Sequence, residues 1–297
     1  MIHQQVSAHT LGVVRYWVFG IWFLKIAIDP FQLLAELPHS IFEPYRVVMR
    51  FIPTAAWSLI LEKGVLFRFK FLLLTFVGLS MFGLRPYRLI VTVTVVLLTF
   101  HQGVVRGFGH INHSEFPLLY ASYVLALFPA ADGFVWPKRQ KNLKSPAVYS
   151  AALLLMTILM LLTYTTTAAF RLAHGGTKIF LGNTIKHHLS YHAFRPSYHG
   201  FDFGKHVLTF PSLALLAKLS FPIITCFELL APLCLICRCF RHVWLVVMTA
   251  FHLATFFLMN IFFWANLLLF PVLLTDIAHF ISTFPLKNTR LTDSELR

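Results

Sequence analysis

Charged side chains are scarce in this chain. Only 12% of its 297 residues are Asp, Glu, Lys or Arg, whereas 58% are hydrophobic and the mean hydropathy is +0.72. A soluble domain of this size would need many more charges to cover its surface. Apolar runs long enough to cross a bilayer recur along the whole chain. We therefore predict a single all-α, polytopic membrane domain over residues 1–297, with its core at 12–283 and a cytoplasmic tail at 284–297.

Among these few charged residues, acidic ones are much scarcer than basic ones. The 25 Lys and Arg residues outnumber the 11 Asp and Glu residues, which gives a formal net charge of +14. The basic residues lie in short loops between apolar runs, where they act as orientation signals and contact anionic lipid headgroups. This placement argues against nucleic acid as a partner. The N-terminus also lacks a basic segment followed by a short apolar core and a cleavage site, so we expect no removable signal peptide.

Cysteine is rare and confined to one stretch, residues 226–239. Cys234 and Cys237 form a CxxC pair, but no second pair exists to complete a structural zinc site. Small core residues and juxtamembrane thiols open to acylation remain alternatives to a redox or metal role. Repeated halves and paired broken helices are also lacking, which argues against a transporter.

Eight apolar windows have about the length of 20 residues that a membrane span requires. They cover residues 11–28, 69–84, 88–105, 116–135, 147–170, 212–236, 242–261 and 264–283. The segment 51–62 is shorter and is flanked by charges, which favours a re-entrant or interfacial helix over a span. The sequence therefore predicts a bundle of about eight membrane spans.

The positions of basic clusters predict the orientation of these spans. With the N-terminus inside, the clusters 85–88, 138–144 and 238–241 and the basic tail all fall on the cytoplasmic side. The short loop at 260–264, on the opposite side, has no basic residue. We therefore predict that both termini are cytoplasmic, in a plasma, inner or endoplasmic reticulum membrane. The histidine-rich connections then lie on the non-cytoplasmic side.

His113 is the first candidate for chemistry. It lies at the predicted start of the fourth span, between Asn112 and Ser114, and His101 and His110 lie just upstream. Histidine is the side chain whose ordinary pKa lies nearest neutral, so it can act as a general acid or base or donate to a developing anion. The alternative is a histidine that only caps the helix or reaches the interface.

Arg171 and Glu228 are the charged candidates near membrane depth. Arg171 ends the fifth span, where it either reaches headgroups or clamps an anion, and it cannot serve as a base near neutral pH. Glu228 lies inside the sixth span, and a carboxylate there normally faces a partner or a cavity. The sequence leaves open which residue pairs with Glu228; the candidates are His252, Asn260, Lys25 and Arg15.

His188 and His192 are weak candidates for a metal site. Their spacing places them on one helix face, which can hold a transition metal. The other histidines do not fall into repeated boxes, and acidic ligands are scarce. We therefore expect no metal and favour an interfacial amphipathic helix here.

Three blocks of the sequence resemble the HTTM family, the membrane domain shared by vitamin K-dependent gamma-carboxylases and bacterial relatives. They are residues 112–133 (Asn-His-Ser, Leu-Leu-Tyr-Ala and Phe-Pro-Ala-Ala-Asp-Gly), 228–232 (Glu-Leu-Leu-Ala-Pro) and 251–271, and the likeness extends over about 12–283. The resemblance implies a helical membrane enzyme that uses a reduced quinone of the vitamin K kind. It also implies that His113 is the active-site histidine.

One position departs from the family pattern. The segment from Tyr164 to Gly182 resembles a family block in which a lysine, the proposed base of the carboxylases, precedes a Gly-Gly pair. Arg171 takes the place of that lysine. A buried lysine can lose its proton near neutral pH, whereas arginine effectively cannot. Gamma-carboxylation itself is therefore not expected.

Two functions remain as hypotheses. In the first, the chain acts on a lipophilic or peptide substrate at the non-cytoplasmic side, as a carboxylase- or epoxidase-like oxidoreductase. His113, Arg171 and Glu228 would then be catalytic, and Asn112, His110 and His252 would bind substrate or cofactor in a cavity between the third and sixth spans. In the second, the chain is a non-catalytic protein that binds lipid or a partner subunit on a degenerate HTTM scaffold.

Overall fold

The computed structural model describes residues 6–44, 51–109, 115–133, 143–176, 178–182, 184–193 and 203–277, without the side chains of residues 179, 181, 192 and 193. Every regular element in these ranges is a helix, which confirms the predicted all-α class. The α-helices are α1 (Ala8–Ile28), α2 (Ala56–Ile60), α3 (Lys63–Phe82), α4 (Tyr87–Gly107), α5 (Phe116–Leu127), α6 (Pro146–Gly175), α7 (Lys178–Leu181), α8 (Thr184–Ala193), α9 (Phe203–Thr209), α10 (Pro211–Leu229), α11 (Arg238–Met259) and α12 (Trp264–Leu274).

Within the described ranges, six helices are long and apolar enough to cross a membrane, which confirms a multi-pass membrane protein. They are α1, α3, α4, α6, α10 and α11. The other two predicted spans correspond to α5 and α12, which have 12 and 11 residues. At a rise of about 1.5 Å per residue they are about 17 Å long, well short of a bilayer core of about 30 Å. The number of spans and the cytoplasmic position of the termini stay predictions.

Helix α1 lies at the centre of the bundle and packs against α3, α5, α6 and α12. It begins where the Ser7 side chain accepts from the backbone N–H of Thr10 at 3.0 Å, and it ends before Pro30, which cannot donate to a further helical turn. Its apolar window is 56% buried, whereas that of α10 is only 11% buried. The bundle is therefore organised around α1, with α10 at its periphery.

Arg15 fastens the ends of two helices from inside the bundle. The side chain is fully buried and donates to the carbonyl oxygens of Met81 at 3.3 Å and Ala130 at 2.6 Å. Gly83 ends α3 with a φ of +68°, and a Cβ atom there would overlap Arg15 Nη1. Arg15 thus satisfies backbone carbonyls, and it is not the partner of Glu228 that the sequence left open.

The segment predicted as an interfacial helix contains only the five residues of α2, too few to cross a membrane. Trp57 of α2 packs against Phe42, at a centroid distance of 5.0 Å, and stacks on Phe100. Together with the 3-10 helix Phe31–Glu36, this segment forms a second, smaller core at one end of α4. This core places the Phe31 ring 4.5 Å from that of His101.

The predicted sixth span, residues 212–236, comprises two elements. Helix α10 ends at Leu229, and a 3-10 helix, Ala231–Leu235, follows it. Pro232 explains this break, because proline cannot continue the hydrogen bonding of the preceding helix. Cys237 then begins α11, where its sulfur accepts from the N–H of Phe240. This break places Glu228 at the last turn of α10.

Candidate functional site

The predicted site residues His110, Asn112 and His113 lie outside the described residues. The description resumes at Glu115, two residues after His113 along the chain. The site is therefore built from the side chains that surround the two ends of this connection, at the C-terminus of α4 and the N-terminus of α5.

A cavity of about 300 Å³, called the polar pocket below, lies at this end of the bundle. Its polar lining is Lys25, Asp29, His101, Gln102 and Glu115. These side chains come from the end of α1, the last two turns of α4 and the residue that precedes α5. The first span therefore contributes to this cavity. The sequence predicted a cavity between the third and sixth spans, and that prediction did not include the first span.

The apolar side of the polar pocket is made by Ile28, Val105 and Trp264. Trp264 is the first residue of α12, so four of the bundle's helices meet here. Ile28 is 70% exposed, so the pocket has an apolar opening to the surface at the end of α1. A cavity of mixed lining, with a few convergent polar groups, is typical of small-molecule sites.

Glu115 is held by two cations. Its Oε1 lies 3.0 Å from Lys25 Nζ, and its Oε2 lies 3.7 Å from Arg106 Nη2. The carboxylate is nearly buried, and the Arg106 guanidinium also lies 4.1 Å from the centroid of the Phe116 ring. Glu115 therefore ties the start of α5 to both α1 and α4.

His101 is buried, with 1% of its surface exposed, and the hydrogen bonds around it assign its tautomer. The Gln102 oxygen Oε1 accepts from Arg106 Nη2 at 3.4 Å, which directs the Gln102 amide nitrogen toward His101 Nδ1, also at 3.4 Å. Since an amide nitrogen only donates, Nδ1 accepts and the imidazole proton is on Nε2. Among the described residues this Nε2–H has no hydrogen-bond partner. The nearest carboxylate oxygen, Asp29 Oδ2, is 3.8 Å away.

Lys70 lies beside the same end of α1. Its Nζ donates to the backbone oxygens of Ala27, at 3.0 Å, and Asp29, at 2.6 Å. The last carbonyls of a helix lack partners within it, and a cation there satisfies them and interacts favourably with the helix dipole. Lys70 thus completes the C-terminus of α1 without neutralising a carboxylate directly.

Arg171 and Glu228 are brought together by the fold. Arg171 Nη1 on α6 lies 2.6 Å from Glu228 Oε2 on α10 and donates to Thr225 Oγ1 at 2.8 Å. The guanidinium also lies over the Phe221 ring, 5.0 Å from its centroid. This guanidinium N–H is committed to a protein carboxylate, and neither residue lines the polar pocket. The pair fastens α6 to α10.

The partners that the sequence offered for Glu228 are occupied elsewhere. Lys25 contacts a different carboxylate, Arg15 donates to carbonyl oxygens, and His252 bonds a tyrosine hydroxyl. Asn260 ends α11 with a φ of +54°, in the left-handed region. The observed partner, Arg171, had been considered only for headgroups or a bound anion.

His252 belongs to a network between α6, α11 and α12. Its Nε2 lies 3.0 Å from Tyr164 Oη, which accepts from Asn266 Nδ2 at 3.0 Å. The rings of Phe263 and Phe270 pack beside the imidazole, at centroid distances of 4.8 and 5.6 Å. Within the described part of the chain, His252 Nδ1 and Asn266 Oδ1 have no hydrogen-bond partner. His252 does not line the polar pocket.

The weak metal candidates are not assembled into a site by the part of the chain that is described. His188 is exposed on α8, and the side chain of His192 lies outside the description. The described residues contain no group of three or more His, Cys, Asp or Glu that could hold a metal ion. The exposed face of α8 carries Lys186 and His187 as well.

Sequence reasoning missed most of the polar pocket. Asp29, Gln102 and Arg106 had no assigned role, and Lys25 had been considered only as a partner of Glu228. One signal was available, because Lys25 and Glu115 are opposite charges at span ends that the orientation places on the same side.

Comparison of the chain with protein-family models, curated proteins and solved structures gave no match.

Proposed function

We propose that the chain is an integral membrane protein of the HTTM type that binds the polar end of a lipophilic molecule in the polar pocket. The substrate or cofactor is a quinone-like molecule or a peptide, and His113 transfers a proton there. The observation that carries this proposal is the pocket itself, which adjoins the end of the connection containing His113. The sequence blocks that resemble the HTTM family support the same reaction class.

The lining of the pocket fits a quinone. A quinone offers two carbonyl oxygens as acceptors, and Lys25 Nζ and His101 Nε2–H are donors beside the cavity. Val105 and Trp264 provide an apolar surface for a ring. A reduced quinone, when bound, supplies the electrons for chemistry with oxygen. The residues of this chain would orient its oxygens and exclude water from them.

His113 keeps the role of acid or base in this proposal. It is two residues from Glu115, and Glu115 is held by Lys25 and Arg106, so the chain that leads to His113 is anchored at the pocket. An imidazole near such an anchored end is suited to proton transfer at near-neutral pH. His110 and Asn112, on the same connection, remain the proposed binding residues.

A second function, binding without catalysis, is favoured by one specific observation. Arg171, which stands in the place of the family's lysine, lies 2.6 Å from Glu228 and also bonds Thr225. We propose that these residues stabilise the bundle and take no part in proton transfer. Without the lysine, the same pocket would hold a lipid or support a partner subunit.

Quinone-dependent oxygen uptake by the purified chain in lipid nanodiscs distinguishes the two functions. We expect uptake with the unchanged chain and with His174→Ala, which alters an exposed histidine at the end of α6. His113→Ala should abolish uptake at an equal yield of folded protein. Full activity of His113→Ala would contradict the catalytic proposal. The absence of uptake from every form, with lipid still bound, would support binding alone.

A further inference from the structure

The polar pocket contains a hydrogen-bond donor without an acceptor among the described residues. His101 lines the pocket, only 1% of its surface is exposed, and its Nε2–H has no partner there. The other ring nitrogen, Nδ1, accepts from the Gln102 amide. Buried polar groups are nearly always paired with protein, water or a ligand. The missing partner of His101 is therefore an acceptor atom.

The carboxylate of Asp29 lies beside the same nitrogen. Asp29 Oδ2 is 3.8 Å from His101 Nε2, which is too long for a direct hydrogen bond. The gap is short enough for one oxygen atom to lie about 2.8 Å from both atoms. Asp29 has other contacts, but a carboxylate has about four lone-pair sites and accepts several hydrogen bonds. An oxygen atom in this gap thus meets a donor on one side and an acceptor on the other.

A hydroxyl is the uncharged group that suits this gap. Its oxygen accepts from an N–H, and its hydrogen donates to a carboxylate. A carbonyl or ether oxygen also accepts from His101, but it has no hydrogen for Asp29. Hydrogen bonds to an ionised acceptor are among the stronger ones in proteins. The gap between His101 and Asp29 therefore favours a hydroxyl over a carbonyl or an ether.

The apolar part of the lining favours an amphiphile over a lone water molecule, which also carries hydroxyl groups. Val105 and Trp264 line the cavity, and the exposed Ile28 lies at its opening. A cavity of about 300 Å³ is much larger than one water molecule, whose share of liquid volume is about 30 Å³. Ligand sites of this size are typically apolar with a few polar groups that orient the ligand.

We propose that the polar pocket selects a hydroxyl at the polar end of an amphiphile, held between His101 Nε2–H as donor and the Asp29 carboxylate as acceptor. The hydroxyl belongs to a phenol, a hydroquinone or an aliphatic alcohol. This inference rests on the proposed function because it concerns the same pocket, and it adds Asp29 as the residue that determines specificity. For a quinone-like ligand, it means that the reduced form binds more tightly than the oxidised form.

Calorimetric titration and native mass spectrometry of the full-length chain in an uncharged detergent test this selectivity. The probes are para-dodecylphenol, its methyl ether and para-dodecylbenzaldehyde, which share the ring and the alkyl chain and differ in the polar group. We expect one dodecylphenol per chain, bound about tenfold more tightly than either of the others, because only the hydroxyl meets both partners. Equal binding of the three probes would overturn the inference.

Two further probes identify the source of the hydroxyl. Tetradecanol in the same assay carries an aliphatic hydroxyl, so weaker binding than that of dodecylphenol supports an aromatic ligand, and equal binding supports an aliphatic one. A dodecyl-substituted benzoquinone is compared with its hydroquinone under anaerobic conditions. The hydroquinone should bind about tenfold more tightly, and tighter binding of the quinone would contradict the inference.

Asp29→Asn tests the acceptor with little change in the shape of the side chain. The amide oxygen is a weaker acceptor, and the amide nitrogen can donate to an ether, so the preference for dodecylphenol should fall from about tenfold to about twofold or less. The matched control is Glu36→Gln, which changes an exposed carboxylate paired with Lys63 at 2.6 Å and should keep the preference. An undiminished preference in Asp29→Asn would overturn the inference.

His101→Phe and Lys25→Met test the donors. His101→Phe keeps a ring beside Phe31 and removes the N–H, so it should weaken dodecylphenol and its methyl ether alike, by about tenfold. Lys25→Met should also weaken both probes, whereas its control, Lys63→Met, should weaken neither. Unchanged binding in His101→Phe would contradict the proposed donor. Should His101→Phe not fold, Asp29→Asn still decides the question, because Asp29 is partly exposed at the rim.

The selectivity and the catalytic proposal fail separately. Loss of oxygen uptake in His113→Ala, with equal binding of dodecylphenol and its methyl ether, would sustain the enzyme and refute the hydroxyl site. A preference for dodecylphenol that depends on Asp29, without oxygen uptake by any form, would sustain the hydroxyl site and leave binding as the function.

Discussion

The Arg171–Glu228 pair and the polar pocket both place charged side chains among apolar helices, yet they differ in balance. In the pair, one guanidinium meets one carboxylate at 2.6 Å, and a threonine hydroxyl takes a further hydrogen bond. In the pocket, two cations share the carboxylate of Glu115 at 3.0 and 3.7 Å, and the buried imidazole of His101 lacks an acceptor among the described residues. Within the described part of the chain, the pair is therefore complete, whereas the hydrogen bonding of the pocket is not.

This difference shows how intramembrane charge is to be interpreted. A charged residue in a span is a reasonable functional candidate, and Arg171 and Glu228 were chosen from the sequence on that ground. Their mutual contact gives them a sufficient structural reason to be there. His101 has no such complete explanation, because the described residues around it leave its Nε2–H donor without an acceptor. Function is therefore better sought in the unbalanced group.

The largest expected change in the free energy of unfolding comes from breaking the balanced Arg171–Glu228 pair. Glu228→Ala leaves the Arg171 guanidinium without its carboxylate, and breaking a buried ion pair in this way costs about 3–5 kcal/mol. We expect a loss of that order in the free energy of unfolding, measured by denaturant titration in detergent, together with a lower folded yield. The double variant Arg171→Met with Glu228→Leu should recover most of it, because replacing both charges removes the unpaired group. A double variant as unstable as Glu228→Ala would show that the pair is not the reason for the loss.

Arg15 offers a second balanced cation, closed by carbonyl oxygens instead of a carboxylate. Gly83→Ala should lower the free energy of unfolding by about 1–3 kcal/mol, because it combines a positive φ with a Cβ atom that would overlap Arg15 Nη1. Gly64→Ala is the control, since no described atom lies within 4 Å of a Cβ atom at that position. It should change stability by no more than about 1 kcal/mol, since the gain of alanine over glycine is full only in the middle of a helix and Gly64 is the second residue of α3. Equal effects at the two glycines would contradict the role of Arg15.

The unbalanced pocket should behave differently from either balanced site. Lys25→Met removes one of two cations from Glu115 and leaves Arg106 in place. We expect the free energy of unfolding of the ligand-free chain to change by less than about 1 kcal/mol, since Arg106 still pairs with Glu115 and no buried charge is left without a partner. Denaturant titration after delipidation measures it. A loss as large as that of Glu228→Ala would show that the pocket is a structural ion pair too.

The smallest effect is expected at the surface. Lys63 and Glu36 form a contact of 2.6 Å, but both side chains are more than half exposed. Exposed ion pairs contribute about 0–1 kcal/mol because water screens them. Lys63→Met should therefore change the free energy of unfolding by no more than about 0.5 kcal/mol, and a larger change would undermine its use as a control.

The sequence predicted the presence of the helices better than the residues at which they end. Each of the eight apolar windows contains a helix, because length and hydropathy report membrane helices well. Helix α5 ends at Leu127 rather than at 135, and Pro129 explains this, since the residue before a proline avoids the helical conformation. Helix α12 ends at Leu274 rather than at 283, without a comparable signal in the sequence.

The contacts that define the two charged groups were beyond sequence reasoning. Arg171 and Glu228 are 57 residues apart on helices that need not have been neighbours. Lys25 and Glu115 meet only because α1 is central and packs against α5. Charge and span position identified candidates, but pairing depends on which helices lie side by side. A sequence pattern of this kind predicts where charge lies and not what neutralises it.

Mass spectrometry of amphiphiles that co-purify with the chain from its own membrane is the most direct test of the difference between the balanced pair and the unbalanced pocket. We expect about one amphiphile with a hydrogen-bond acceptor at its polar end per unchanged chain and per Lys63→Met chain, and its loss from Lys25→Met and His101→Gln. Retention of the same amphiphile by both pocket variants, or no bound amphiphile in any sample, would contradict the claim that a ligand completes the hydrogen bonding of the polar pocket.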